Sequence, residues 1–328
     1  MKYFFTIFTV LFLTFNVQAQ TKPTFKKQVV KEITAEFPQF RFFNIDFKNS
    51  FSRDFDSELY GSDFQSGKIT NQKTVNMGVN FPIMVKQKWT LSTSLSYRYN
   101  KFEFKDVKNI STTNTFIQPL TESFHNFTTA INSTYISLLF KKPIIYNASI
   151  IVDGNNNGFE RIKGMIGASL IIKRTATTTM TVGIISFIDP TSQLPFLPTF
   201  TYNYKFGNSW EFDFILPQRI LFRKPIAAKG RLSLGTEFGG NGFYVNTSGV
   251  NNFPKVLEYS QLEVNTGAIY EHKFSNQIIA TFKGGLTNFI SNRLTEKGKA
   301  NKDYLYNNTQ EPSGYFNIGI SFNPFGKK

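Results

Sequence analysis

Between Trp89 and Tyr99 the chain alternates without a break. Trp89, Leu91, Thr93, Leu95, Tyr97 and Tyr99 occupy one phase; Thr90, Ser92, Ser94, Ser96 and Arg98 occupy the other. Successive side chains of a β-strand point to opposite faces, so this stretch is a strand with one apolar and one polar face. The apolar face begins with Trp89 and ends with Tyr97 and Tyr99, aromatic residues with a polar handle of the kind that settles at a water–lipid boundary. At about 3.3 Å per residue and a tilt of about 40°, such a strand covers roughly 28 Å, near the height of the apolar band of a membrane barrel. The preceding stretch repeats the pattern, with Val75, Met77, Val79 and Phe81 opposed by Asn76, Gly78 and Asn80. Lys86-Gln87-Lys88 joins the two, and the pair reads as a transmembrane β-hairpin.

Helical spanning is excluded: beyond the N-terminus the 328-residue chain has no run of about 18 apolar residues. A mean hydropathy of −0.23 does not oppose a barrel, because half of each barrel strand faces a polar interior. The absence of cysteine removes disulfides and thiolate chemistry. A net charge of +15 raises the possibility of a polyanionic partner. The Lys and Arg are scattered over turns, loops and polar strand faces, however, so no nucleic acid is expected. The expected counter-charges are outer-membrane lipid and lipopolysaccharide.

Met1 to Ala19 reads as a secretory signal, with Lys2 ahead of a short apolar core and Val17-Gln18-Ala19 at the cleavage site. Residues 20–39, carrying Lys22, Lys26, Lys27 and Lys31, are expected to be a periplasmic or lumenal N-terminal segment. From Phe40 to Phe325 the period is two, and residues 326–328 form a short tail. Short links near Lys86, Lys141, Arg174, Gly207, Ala227 and Phe274 alternate with longer ones, the rhythm of periplasmic turns and extracellular loops. Polar stretches at Asp54–Gly67, Lys105–Glu122 and Ser291–Pro312 are expected to be such loops, and a phase shift near Tyr135 predicts a β-bulge. The predicted fold is a closed antiparallel transmembrane β-barrel of about 12–14 strands, fourteen if Pro217 is a corner between two strands. Its Phe-rich closing strand would be read by the outer-membrane barrel assembly machinery.

Three segments carry a resemblance: Leu95-Ser96-Tyr97-Arg98-Tyr99, Trp210 to Pro217, and Leu232 to Gly242. Together with the patterning from Phe40 to Phe325, they resemble a family of Bacteroidota outer-membrane β-barrels of unknown function. The resemblance implies an integral barrel in a Gram-negative outer membrane and assigns no chemistry.

Charges cannot face hydrocarbon cheaply, so their phase marks the interior. Arg98, Arg161, Lys163, Lys205, Arg231 and Lys283, with Glu211, Asp213, Glu237 and Glu263, are the predicted lumen-lining residues. Trp89, Tyr97, Tyr99, Trp210 and Tyr270 are the predicted aromatic girdle. The chain has two histidines. His125, beside Ser123 and Asn126, is the one place for a nucleophile–base pair of a lipid-acting barrel. No catalytic residue, metal or cofactor is predicted. The function expected is a passive pore or transporter for a small polar solute, with a non-transporting scaffold or surface-binding barrel as the alternative.

Overall fold

In a computed structural model, residue 37 and residues 41–110, 121–192, 194–247 and 253–324 are described. The predicted signal, most of the N-terminal segment and the C-terminal tail lie outside those residues.

Sixteen strands follow in chain order. The first eight are β1 (Phe43–Ser50), β2 (Arg53–Leu59), β3 (Ser62–Val85), β4 (Trp89–Asn109), β5 (Thr121–Leu139), β6 (Lys142–Asn155), β7 (Gly158–Arg174) and β8 (Thr178–Ile188). The others are β9 (Phe196–Lys205), β10 (Glu211–Leu216), β11 (Arg219–Ile226), β12 (Gly230–Asn246), β13 (Val256–Lys273), β14 (Ile278–Glu296), β15 (Tyr304–Gln310) and β16 (Ser313–Phe322). β3 pairs with both β1 and β2, so these two are one wall strand interrupted at Phe51 and Ser52. β14 likewise pairs with both β15 and β16, which are interrupted at Glu311-Pro312, where proline has no N–H to give the ladder. The wall therefore has fourteen strands, every pairing is antiparallel, and β1 with β16 closes the ring.

The strand count is the larger of the two expected, but the alternation of links holds only in part: Tyr60-Gly61 and Asn156-Asn157, on the side expected to carry the longer links, are two-residue turns. A cis Leu216–Pro217 bond sits at the corner between β10 and β11, two separate short strands. The outer strands reach further than the polar composition suggests. Asp54–Gly67, expected as a loop, is a paired hairpin closed by Tyr60 and Gly61 in the left-handed region, the conformation a two-residue hairpin turn requires. Much of the expected Ser291–Pro312 loop is strand as well, in the end of β14 and in β15. β4 runs to Asn109 and β5 starts at Thr121, which confines the expected Lys105–Glu122 loop to a shorter span. The bulge predicted near Tyr135 is absent: β5 keeps an unbroken register with β4 and β6, and Phe127, Ile131 and Tyr135 stay exposed in one phase.

Exposed apolar side chains occur on all fourteen wall strands, among them Met77, Leu95, Ile131, Ile150, Ile166, Ile184, Phe222, Leu234, Phe282 and Ile320. The register sets them in rows; Leu95, Val79, Phe43, Phe322 and Ile278 stand side by side across five neighbouring strands. Burial is concentrated inside the ring, where polar residues such as Asn100, Asp213, Thr287 and Asn292 have almost no exposure. Oil outside and polarity inside reverse the arrangement of a water-soluble domain.

Candidate functional site

Fourteen strands enclose more space than their own side chains fill, since about eight already make a packed interior. Two features occupy the surplus.

The first is a mesh of polar contacts, some between neighbouring wall strands and others reaching to strands that are not neighbours in the wall. The Nζ of Lys48 on β1 bonds Asn265 on β13 at 2.9 Å and pairs with Glu263 on the same strand. Arg98 on β4 donates to Asn76 at 2.7 Å and to the Gly240 carbonyl of β12 at 3.1 Å. Asn241 on β12 donates to Asn100 on β4 at 2.7 Å. Gln72 on β3 donates to Gln261 on β13 at 3.3 Å. Nearer the termini, Arg41 and Arg231 share the Glu271 carboxylate, and Lys283 pairs with Glu237 at 2.5 Å. Asp213 holds Arg219 and Arg223 at 2.7 and 2.6 Å, and Asn203 donates to Glu211 at 2.5 Å. Of the ten predicted lumen-lining residues, Lys205 stands apart: it is exposed at the end of β9, beside the Gly207-Asn208 turn.

The second feature is an inward-turned wall edge. β11 pairs with β12 only as far as Glu237, because the Pro217 corner cuts β10 and β11 short. Past that point β12 keeps β13 on one side and has no β11 partner on the other, up to Asn246. The free edge, starting at Gly239-Gly240-Asn241-Gly242, crosses the interior and packs against β5 and β6. At Gly239 an added Cβ would lie 2.9 Å from a Glu263 carboxylate oxygen of β13, whereas at Gly240 and Gly242 it would meet only backbone carbonyls of β13, at 3.6 and 3.4 Å. The outer ends of β12 and β13 thus form a partition.

Its two faces differ. Phe243 and Tyr259 face a cluster with Phe55, Ile69 and Phe102, and Phe124 stacks on Phe243 at 4.1 Å between ring centroids. Tyr244 and Glu258, in the opposite phase, face β7. Buried Glu258 accepts from Arg161 and from Lys163, each at 2.7 Å, and from the Thr191 hydroxyl at 3.2 Å. Asp189, in the β8–β9 connection, bonds Arg161 at 2.7 Å, and Asp153 lies 3.0 Å from Lys163. Burial alone would raise the Asp189 carboxyl; Lys163, Thr191 and Arg161 outweigh it and hold that carboxyl below the usual aspartate range. We call this group the latch.

Sequence reasoning found Arg161 and Lys163 but missed Glu258 and the aromatic cluster. Glu258 lies in the opposite phase to Glu263, and only the inward turn buries it. Phe102, Phe124 and Phe243 stand in the inward phase of β4, β5 and β12, which the sequence reading searched for charges rather than for aromatics.

Of the predicted girdle residues, Trp89 opens β4, Tyr97 and Tyr99 lie midway along it, Trp210 immediately precedes β10, and Tyr270 lies near the end of β13. Trp89 is exposed and its Nε1 donates to Ser133 at 2.7 Å. Tyr97 pairs with His125 through its hydroxyl and Nδ1 at 2.8 Å, and the Tyr99 ring lies 5.1 Å from that imidazole. Tyr270 and His272 form a like pair at 3.0 Å, and Lys224 lies over Trp210 at 5.3 Å. His125 thus bonds a tyrosine rather than the serine a hydrolase would need. Among the described residues, no group of three or more His, Cys, Asp or Glu is placed to hold a metal.

No family model matches the chain, and no curated protein is similar to it. Distant structural similarity exists to a Pseudomonas aeruginosa FadL homologue, with 6% identity, 88% of this chain and 91% of that one covered, and a TM-score of 0.42. The Pseudomonas putida toluene transporter TodX gives 8%, 89%, 92% and 0.33 in the same order. The Escherichia coli outer membrane protease OmpT gives 7%, 85%, 96% and 0.29. At such low identities and scores, neither the solutes of the channels nor the chemistry of the protease transfers to this chain.

Proposed function

We propose that the protein is an integral outer-membrane β-barrel acting as a passive channel for a small polar solute, with its lumen closed in the present conformation by the partition. The observation that carries this reading is the exposed apolar band on all fourteen wall strands around an interior lined with paired charges. Such a surface is stable against hydrocarbon and costly in water, since each Å² of apolar area carries about 25 cal/mol.

The short-turn rim supports the same placement. Lys86, Lys88, Lys141, Lys142, Lys205 and Lys229 are exposed there, next to the exposed aromatics Phe140, Phe206 and Phe274. Lysines beside rings suit a headgroup boundary, with anionic lipid or lipopolysaccharide as counter-charge. The closing strand β16 is the segment we assign to the barrel assembly machinery. The polar groups below the partition, Arg98, Lys283, Glu237 and Glu263 among them, would then screen the solute by charge once the partition moves.

The contacts that bridge the lumen also favour a second reading, a non-transporting barrel whose outer surface binds a partner. Planar-bilayer recordings separate the two. The channel reading expects brief, low-probability openings in the wild type and more frequent ones in Glu258→Gln, which loosens the latch. Silence from both folded proteins would overturn it and leave the scaffold.

A further inference from the structure

A cavity of about 680 Å³ lies on the aromatic side of the partition, between it and β2 to β5, β14 and β15. We propose that this cavity is a binding site for a neutral, mostly apolar small molecule, an occupant that the polar-solute reading neither requires nor supplies.

Three observations support it. Its walls are Ile69, Phe102, Phe104, Phe124, Phe243 and Leu294, residues placed in the inward phase of their strands, where a barrel ordinarily carries polar groups. The volume falls within the roughly 300–1,000 Å³ that drug-sized ligands occupy. The polar lining sets the class of ligand. Glu122 is the one charged side chain lining the cavity among the described residues, and a carboxylate repels an anionic headgroup. The remaining polar lining consists of amides and hydroxyls, including Asn155, Asn156, Asn246 and Thr247. The ligand class is therefore a hydrocarbon skeleton, alkyl or aromatic, with no charge and at most one or two hydrogen-bond donors.

The test is photo-crosslinking on the full mature chain in phospholipid nanodiscs, with two probes: a long-chain alcohol and the matching fatty acid, each bearing a diazirine in mid-chain. Lipid-dissolved probe marks the exposed band and provides an internal reference. The expected result is saturable labelling of peptides holding Phe102, Phe124 and Phe243 by the alcohol, suppressed tenfold or more by excess unlabelled alcohol and several-fold weaker with the acid. Phe104→Gln, at the edge of the cluster, is expected to lower this labelling while leaving heat-modifiable gel mobility, the sign of a folded barrel, intact. Should Phe104→Gln not fold, competition in the wild type carries the test. Labelling confined to residues such as Ile150 and Phe282, or interior labelling that excess alcohol fails to suppress, overturns the proposal. Conductance is a separate readout: a silent barrel with saturable labelling removes the channel and keeps the site, and a conducting barrel without it does the reverse.

Discussion

Replacing Glu258 by Gln keeps its shape and removes one charge from the latch. The side chain is 8% exposed, against 11% for Arg161 and 17% for Lys163, so solvent screens these pairs weakly. Breaking a buried ion pair by removing one partner costs about 3–5 kcal/mol when the other charge is left alone. Here the cations are not left alone, because Arg161 keeps Asp189 at 2.7 Å and Lys163 keeps Asp153 at 3.0 Å. Roughly half the penalty then remains, about 2 kcal/mol, or about a thirtyfold change in the unfolding constant. The assay is urea titration of the barrel refolded into phospholipid vesicles, followed by the fluorescence of Trp89 and Trp210. Glu103→Gln is the matched control; its pairs with Lys73 and Lys101 are 27–37% exposed, and such pairs contribute about 0–1 kcal/mol. If Glu258→Gln costs no more than this control, the latch does not hold the partition and the reasoning fails.

The wall itself makes further predictions. Ile150→Arg places a charge on the exposed band and is expected to cost about 2–4 kcal/mol in vesicles near the bilayer midplane; a loss below about 0.5 kcal/mol would show that position 150 does not face lipid. Asp213→Asn strips both Arg219 and Arg223 of their 2.6–2.7 Å partner and is expected to cost about 3 kcal/mol by the same titration, with no such loss expected for Asp54→Asn, whose pair is surface-exposed. The depressed Asp189 carboxyl fixes a pH dependence. Its contribution is complete above the unfolded aspartate pKa of about 3.9 and is lost as pH falls through the lower folded value. The stability gap between wild type and Asp189→Asn should therefore be flat from pH 8 to 5 and close only in strong acid; a gap that closes near neutrality would refute the assignment.

The sequence shows the wall clearly because one physical rule governs it: the band must be oily outward at every second residue, as at Trp89 to Tyr99. The same rule shows the polar interior, and it places Arg98, Glu237 and Glu263 in contact with partners inside the ring. Above the band the rule lapses. Residues 53–69 lose the lipid signal yet remain paired, because a Tyr60-Gly61 turn and inward-facing Phe55 and Ile69 hold them. Glu258 and Phe243 belong to a segment whose face depends on β11 stopping at Arg219, a fact about a neighbouring strand rather than about their own sequence. Long-range geometry of that kind leaves no local periodic trace. The Gly239–Gly242 run was the nearest signal, consistent with a bend but silent on its direction.

Which face of each strand meets hydrocarbon is tested most directly by a nitroxide scan from Tyr146 to Val152 on β6 in vesicles. Accessibility to dissolved oxygen is predicted to rise at 146, 148, 150 and 152 and to fall at 147, 149 and 151, whose side chains point inward. A scan with no period of two, or one in which a water-soluble nickel chelate reaches the even positions as readily as oxygen, would contradict the barrel's placement in a membrane.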